Sequence, residues 1–269
     1  MDLLTMKNNI GCCLRAALLL TCPVVTALAD NVPQPVPLVQ KWSEASLITA
    51  DNDWSHAPGF MGYRGDKIAS KPGINPQTIL VDGTDSAVSV FANQSKPNSF
   101  RSGGVAEFDG IPDPTIAIKG SANASAPFVL LNLNTKGKKN VGVGYTLRDL
   151  DGSANNAVQA VAFQYRIGTN GSFTDIPSAF VADATTGPNQ NSQTTPVVVS
   201  LPATTWDQPW IQVRWITSNA EGTDEWVGID DIAVVADEAA VVAASEDAKS
   251  GNDNKSSKPL RSPRDSSGH

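Results

Sequence analysis

Histidine and cysteine are scarce in this 269-residue chain. It has two histidines and three cysteines. The cysteines, Cys12, Cys13 and Cys22, all precede Ala29, and the segment that holds them reads as one to be removed. A chain without them has no disulfide staple and no thiolate nucleophile. The histidines are His56 and the terminal His269, too few for a metallohydrolase centre built on several imidazoles. There is no His-Glu-x-x-His, no Gly-x-Ser-x-Gly and no Gly-x-x-x-x-Gly-Lys-Ser/Thr run, which leaves zincin, nucleophile-elbow and phosphate-loop chemistry without their residues. No apolar run beyond the amino end is long enough to cross a bilayer as a helix, which takes about 20 residues.

The amino end has the order of an export signal. Lys7 and Arg15 precede an apolar stretch from Ala16 to Val25, and Ala27-Leu28-Ala29 places small residues at alternate positions before Asp30. This pattern predicts a signal peptide over residues 1–29 and a secreted or periplasmic protein beginning at Asp30. Leu19-Leu20-Thr21-Cys22 offers a lipoprotein alternative through Cys22, with Thr21 a poor fit where a smaller residue is usual. Removing Lys7, Arg15 and Asp2 leaves 18 basic against 26 acidic residues, a net charge of -8. Such a surface argues against a direct grip on nucleic acid, which depends on neutralising phosphates.

Three textures follow the signal. Residues 30–40 alternate proline with other residues and predict an extended leader. From 41 to 236, short apolar or alternating runs are punctuated by Gly, Pro, Asn and Asp, the pattern of strands joined by turns. Val141, Val143, Tyr145 and Leu147 alternate with Gly142, Gly144, Thr146 and Arg148; Val161, Phe163, Tyr165 and Ile167 alternate with Ala160, Ala162, Gln164 and Arg166; Ile211, Val213 and Trp215 alternate with Gln212 and Arg214. Each set has the period of two of a half-buried strand. The stretch from Trp226 to Val235 is apolar on both faces, as a central strand would be. No helical period competes, so the fold class expected is all-β: a two-sheet antiparallel sandwich, jelly-roll-like. Residues 237–269 pass through a short alanine-valine run into Lys, Asp, Ser and Pro without apolar periodicity, and predict a disordered tail.

Several phrases carry a resemblance: Asp51-Asn52-Asp53-Trp54-Ser55, Gly62-Tyr63-Arg64-Gly65-Asp66, the run from Leu147 to Gln159, Phe163-Gln164-Tyr165-Arg166, and Asp224-Glu225-Trp226-Val227-Gly228-Ile229-Asp230-Asp231-Ile232. Together they resemble the β-sandwich module at the amino end of secreted bacterial nuclease-like proteins of the endonuclease/exonuclease/phosphatase superfamily. The closing Ile229-Asp230-Asp231-Ile232 is also similar to the last strand of MAM-type and galactose-binding-like jelly rolls. The resemblance implies a non-catalytic accessory module; in the longer relatives a catalytic domain follows it, which also allows a remnant of a longer nuclease-like protein.

The candidate site residues are carboxylates and tryptophans. Calcium takes oxygen ligands from loops and strand ends, and Asp149, Asp151, Asp230 and Asp231 are the candidate ligands. The same aspartates also serve as turn formers, because Asp-Gly is a tight-turn pair. Asp230 and Asp231 are strand neighbours and point to opposite faces, leaving one of them to meet solvent or a partner such as Arg148 or Arg214. Asp149, Asp151, Asp224, Glu225, Asp230 and Asp231 also supply the carboxylate pairs that glycoside hydrolysis needs. Trp206 and Trp210 flank Asp207-Gln208-Pro209, where an exposed ring could stack on a sugar, and His56 stands near Asp51 and Asp53. The sequence thus supports an exported module that binds a glycan or another extracellular protein, or supports structure, with calcium as its candidate cofactor. The alternative is a secreted hydrolase of phosphate esters, nucleic acid or glycans.

Overall fold

Strand alternation becomes architecture in the computed structural model, which describes residues 31–82 and 87–239. The predicted signal peptide with its cysteines, and residues 240–269 of the predicted tail, lie outside the described residues, while Asp237 and Glu238, expected in that tail, end the last strand. Twelve strands are formed: β1 (Gln34–Pro35), β2 (Leu38–Gln40), β3 (Phe60–Tyr63), β4 (Gly104–Phe108), β5 (Thr115–Lys119), β6 (Phe128–Asn134), β7 (Lys138–Asp149), β8 (Ala162–Ile167), β9 (Thr174–Asp175), β10 (Thr194–Ser200), β11 (Ile211–Ile216) and β12 (Val227–Glu238). Short 3-10 turns accompany them, and the described residues contain no α-helix.

The strands make two six-stranded sheets. One has the order β1-β6-β11-β8-β9 with β3 also on β6; the other has β10-β7-β12-β5-β4 with β2 also on β12. The chain crosses repeatedly between them, so consecutive strands β6, β7 and β8 alternate sheets. This is a jelly-roll-like sandwich, and all pairings but β1 with β6 are antiparallel.

The inward face of β7 carries the predicted set Val141, Val143, Tyr145 and Leu147, all buried, packed with Phe163, Val213, Trp215, Ile229 and Val234. Burial of these side chains away from water is the main stabilising contribution. At one margin Trp42 meets Phe60 and Trp54 edge to face, with centroids 4.9 and 6.4 Å apart. The leader is tied into both layers: β1 pairs with β6 and β2 with β12, and Val36 between them is buried.

The polar face of β8 and β11 is also buried. Gln164, Arg166 and Arg214 lie beneath the segment 64–82 and Phe173 rather than in water, and Gln212 is buried against Arg166 and Asn132. They are satisfied by one another and by backbone. Arg214 donates to Gln164 Oε1 and to the carbonyls of Ile79 and Val81, with its guanidinium 3.8 Å from the Phe173 ring centroid. Arg166 donates to Gln212 and pairs with Asp82 at 2.7 Å.

Candidate functional site

Antiparallel register gathers one set of strand ends. Tyr63 and Ala162 stand beside the β6 and β11 ends, where Phe128 faces Ile216; in the other sheet Val227 faces both Asp149 and Ile118, and Gly104 faces Lys119. The connections 120–127, 150–161, 182–193 and 217–226 therefore meet at one end of the sandwich. They are rich in Ser, Asn, Asp, Thr and Gly, and their polar side chains hold the two layers together there.

Gln159, fully buried, donates to Thr217 Oγ1 at 2.7 Å and to the Ser218 carbonyl, and accepts from the Glu225 N–H. Asp149 continues the inward row of β7 and accepts from Thr186 N–H at 2.8 Å and from its hydroxyl. Glu225 also lies between the layers. Its Oε2 accepts from Ala157 N–H at 3.3 Å, and its Oε1 is buried without a hydrogen-bond partner. Burial pushes the Glu225 carboxyl above the usual range, and the Asp149 and Asp151 charges add to that. Burial raises Asp149 and Asp224 as well.

Toward solvent the same end opens as a cleft of about 720 Å³ lined by Lys71, Arg101, Lys119, Ser121, Thr223 and Asp224 with neighbouring backbone. One lining residue, Lys119, belongs to a buried ion pair. Lys119 Nζ lies 3.7 Å from Asp151 Oδ2, with the two side chains 9% and 3% exposed. The ammonium also donates to the Phe100 carbonyl and sits 5.7 Å from the Trp226 ring. Burial lowers the Lys119 pKa, while Asp151 and Asp224 pull it back. Gly120 lets the backbone pass under the cleft: a Cβ there would lie 2.3 Å from Asp224 Oδ1 and 2.6 Å from the Ser218 carbonyl. A mixed set of donors and acceptors beside a fixed charge pair is chemistry for a hydroxyl-rich ligand, and the volume is in the range of small-ligand sites.

The four candidate calcium aspartates are divided. Asp149 and Asp151 are buried at this end, each accepting from the backbone N–H two residues on, at 3.2 and 3.1 Å. Asp230 is buried on the outer face of its sheet and takes 2.7 Å from Arg148 Nη1. Asp231 is exposed, at φ 48°, and 3.9 Å from Lys41. The structure thus brings Asp149 and Asp151 together at the loop end and places Asp230 and Asp231 away from them. Among the described residues no three His, Cys, Asp or Glu side chains come together as a metal cage.

Asp224 and Glu225, also candidates as a carboxylate pair, point apart: one lines the cleft and the other enters the space between the sheets. His56 lies on the surface, its Nδ1 3.4 Å from Ser55 Oγ, while the Ser55 hydroxyl and then its N–H hold the Asp53 carboxyl below the usual range. Trp206 and Trp210 occupy the connection between β10 and β11 at the opposite end. Trp206 packs on the core and Trp210 donates to Asn132 Oδ1 at 2.9 Å; both are half-buried. The cleft residues Lys71, Arg101, Lys119 and Ser121 had no motif to mark them. The one local sign is Lys119, a single cation closing the apolar run Thr115–Lys119.

No protein-family model matches the chain, and no curated protein matches it in sequence. The likeness to the nuclease-associated module therefore rests on the sequence phrases. Similar solved structures include a carbohydrate-binding module specific for non-crystalline cellulose, at 12% identity over 55% of this chain and 99% of that one, TM-score 0.36. The K2 cleaved adhesin domain of Lys-gingipain is similar at 14% identity over 74% and 98%, TM-score 0.38. A Stig cyclase from Fischerella sp. TAU is similar at 12% identity over 68% and 87%, TM-score 0.38.

Proposed function

We propose that this chain is a non-catalytic, exported β-sandwich module that binds a glycan in the cleft at its polar loop end. The observation that carries the reading is the cleft lined by Arg101, Lys119, Ser121, Thr223 and Asp224, with Lys119 held from behind by Asp151. Sugars present closely spaced hydroxyls, each able to donate and accept. Hydrogen bonds to charged groups favour them by about 1.5–3 kcal/mol each. The candidate acid-base groups of a hydrolase are dispersed or engaged instead: Asp230 is bound by Arg148, Asp149 by Thr186, and His56 lies on the surface near Ser55.

Affinity electrophoresis of the chain from residue 30 onward against a panel of neutral and acidic polysaccharides tests this. Retention is expected on at least one, weakened about 10- to 100-fold by Arg101→Ala or Asp224→Asn, on the energy scale of a charged hydrogen bond. Absence of retention across the panel rejects the reading. Retention that survives both changes and is lost with Trp210→Ala moves the site to the opposite end.

A further inference from the structure

Charge is unevenly placed at the polar loop end. The chain as a whole is acidic, with a formal net charge of -7. A second hollow of about 280 Å³ beside the cleft is nevertheless lined by Arg64, Arg101, Ser102, Ser121 and Asn123, with Phe91 and neighbouring backbone, and by no carboxylate. The two cavities share Arg101, Ser121 and Ala122, so Arg101 stands on the divide between them. Arg64, Arg148, Arg166 and Arg214 each donate to a carboxylate or amide oxygen. Arg101 is the one described arginine with neither a hydrogen bond nor an ion pair among the described residues, and the side chains of Ser102 and Asn123 have no hydrogen bond there either.

These donors stand on a fixed wall. The carbonyl of Phe100, in the peptide that leads into Arg101, accepts from Trp226 Nε1 at 2.9 Å and from Lys119 Nζ at 3.4 Å. Gly103 lets this segment lie directly on residues 120–121: a Cβ there would fall 2.4 Å from Ser121 Oγ and 2.8 Å from the Gly120 carbonyl. Ser121 Oγ in turn accepts from Ala124 N–H at 3.0 Å. The carboxylates that line the cleft stand away from the hollow. Asp224 accepts from Ala220 N–H at 2.8 Å, and Glu221 lies against Gly73, where a Cβ would come 3.0 Å from its Oε1. Acceptors therefore line the cleft, while donors without a partner gather at its Arg101 margin. A guanidinium fork matches the paired oxygens of a carboxylate or sulfate, and such charge-assisted bonds are about twice as strong as neutral ones. Building on the glycan reading above, we infer that the cleft takes an acidic sugar, its ring beside Thr223 and Asp224 and its carboxylate or sulfate ester in the hollow against Arg101, Ser102 and Asn123.

Native gels cast with matched polymers test this: polygalacturonate against its methyl ester, and a sulfated galactan against the same galactan desulfated. At least one acidic member is expected to bind the chain about tenfold more tightly than its uncharged partner, the scale of one charged hydrogen bond, and the pair that shows it distinguishes carboxylate from sulfate. Arg101→Ala is expected to cut that preference to about twofold or less, and Arg101→Lys, which keeps the charge without the fork, to retain part of it. Lys136→Gln removes the same charge at the opposite end, beside Asp207, and is expected to leave the preference intact. Equal or tighter binding of the uncharged members overturns the inference and leaves the glycan reading standing. An acidic preference that survives Arg101→Ala, or that Lys136→Gln lowers equally, belongs to overall charge and overturns the inference as well. Absence of binding to all four polymers, together with the wider panel above, rejects the glycan reading and the inference with it.

Discussion

Arg148 and Asp230, neighbours across β7 and β12, form an ion pair with Nη1 2.7 Å from Oδ2, on the outer face of the second sheet. Arg148 is tied down further by Asp113, through its carbonyl at 2.9 Å and its carboxylate at 3.1 Å. Asp230 is buried, and burial raises its carboxyl despite the cation beside it. Removing the cation leaves a buried carboxylate without its charged donor. Arg148→Met is therefore expected to destabilise the fold by about 2–4 kcal/mol, and adding Asp230→Leu to recover part of that loss. Urea denaturation of the two variants checks this; a loss below about 0.5 kcal/mol for Arg148→Met rejects it.

The adjacent Asp231 depends on backbone rather than charge. The β12 register shifts between Asp230 and Ala233, and Asp231 sits at φ 48°. The bulge turns Ile232 inward and leaves Asp231 in solvent. Asp and Asn tolerate this left-handed region and β-branched residues do not. Asp231→Asn is expected to be neutral and Asp231→Val to cost about 1–2 kcal/mol, read as a shift in urea midpoint. Equal effects of the two would place the cause elsewhere than in backbone strain.

These two aspartates show which information was local. Parity along β7, β8 and β11 predicted the inward rows from Val141 to Leu147 and from Ile211 to Trp215, because alternation is a property of the strand alone. The fate of the opposite rows was not local. Gln164 and Arg214 look solvated in sequence and are buried because a segment about 90 to 150 residues earlier covers them. The bulge at Asp231 broke the alternation that would send neighbours to opposite faces. The cleft was hidden for the same reason: Lys71, Arg101, Lys119 and Asp224 come from four separate connections or strand ends that only the sheet register brings together.

Arg214 is the fastening of that covering segment. It is fully buried between the Phe173 and Phe128 rings, 3.8 and 4.9 Å from their centroids, and donates to Ile79 and Val81 carbonyls and to Gln164. A lysine keeps the charge but not the planar fork or the stacking. Arg214→Lys is expected to cost about 2–4 kcal/mol and to expose the chain around residues 76–82 to limited proteolysis before the sheets open. Cleavage at the wild-type rate would mean that the segment is held by its other contacts.

Glu107 gives the stability its clearest dependence on pH. It shares β4 with Val105, is 2% exposed, and accepts from Asn93 N–H at 3.2 Å. Burial pushes its carboxyl up to about 7 from an ordinary 4.5, with Asp109 adding to the rise and the Asn93 bond opposing it. A carboxyl whose folded pKa is the higher one binds its proton more tightly when folded. Its contribution is therefore complete below about 4.5 and is lost as pH rises through about 7. Asp149, Asp224, Glu225 and Asp230 are raised by burial too and act in the same direction. The wild-type chain is expected to lose stability between pH 5 and pH 8 rather than gain it. Glu107→Gln, which stays neutral, should match the wild type near pH 4.5 and exceed it by about 2 kcal/mol at pH 8. Urea midpoints of both proteins across that range decide the matter, and parallel curves would show that Glu107 does not titrate in this window.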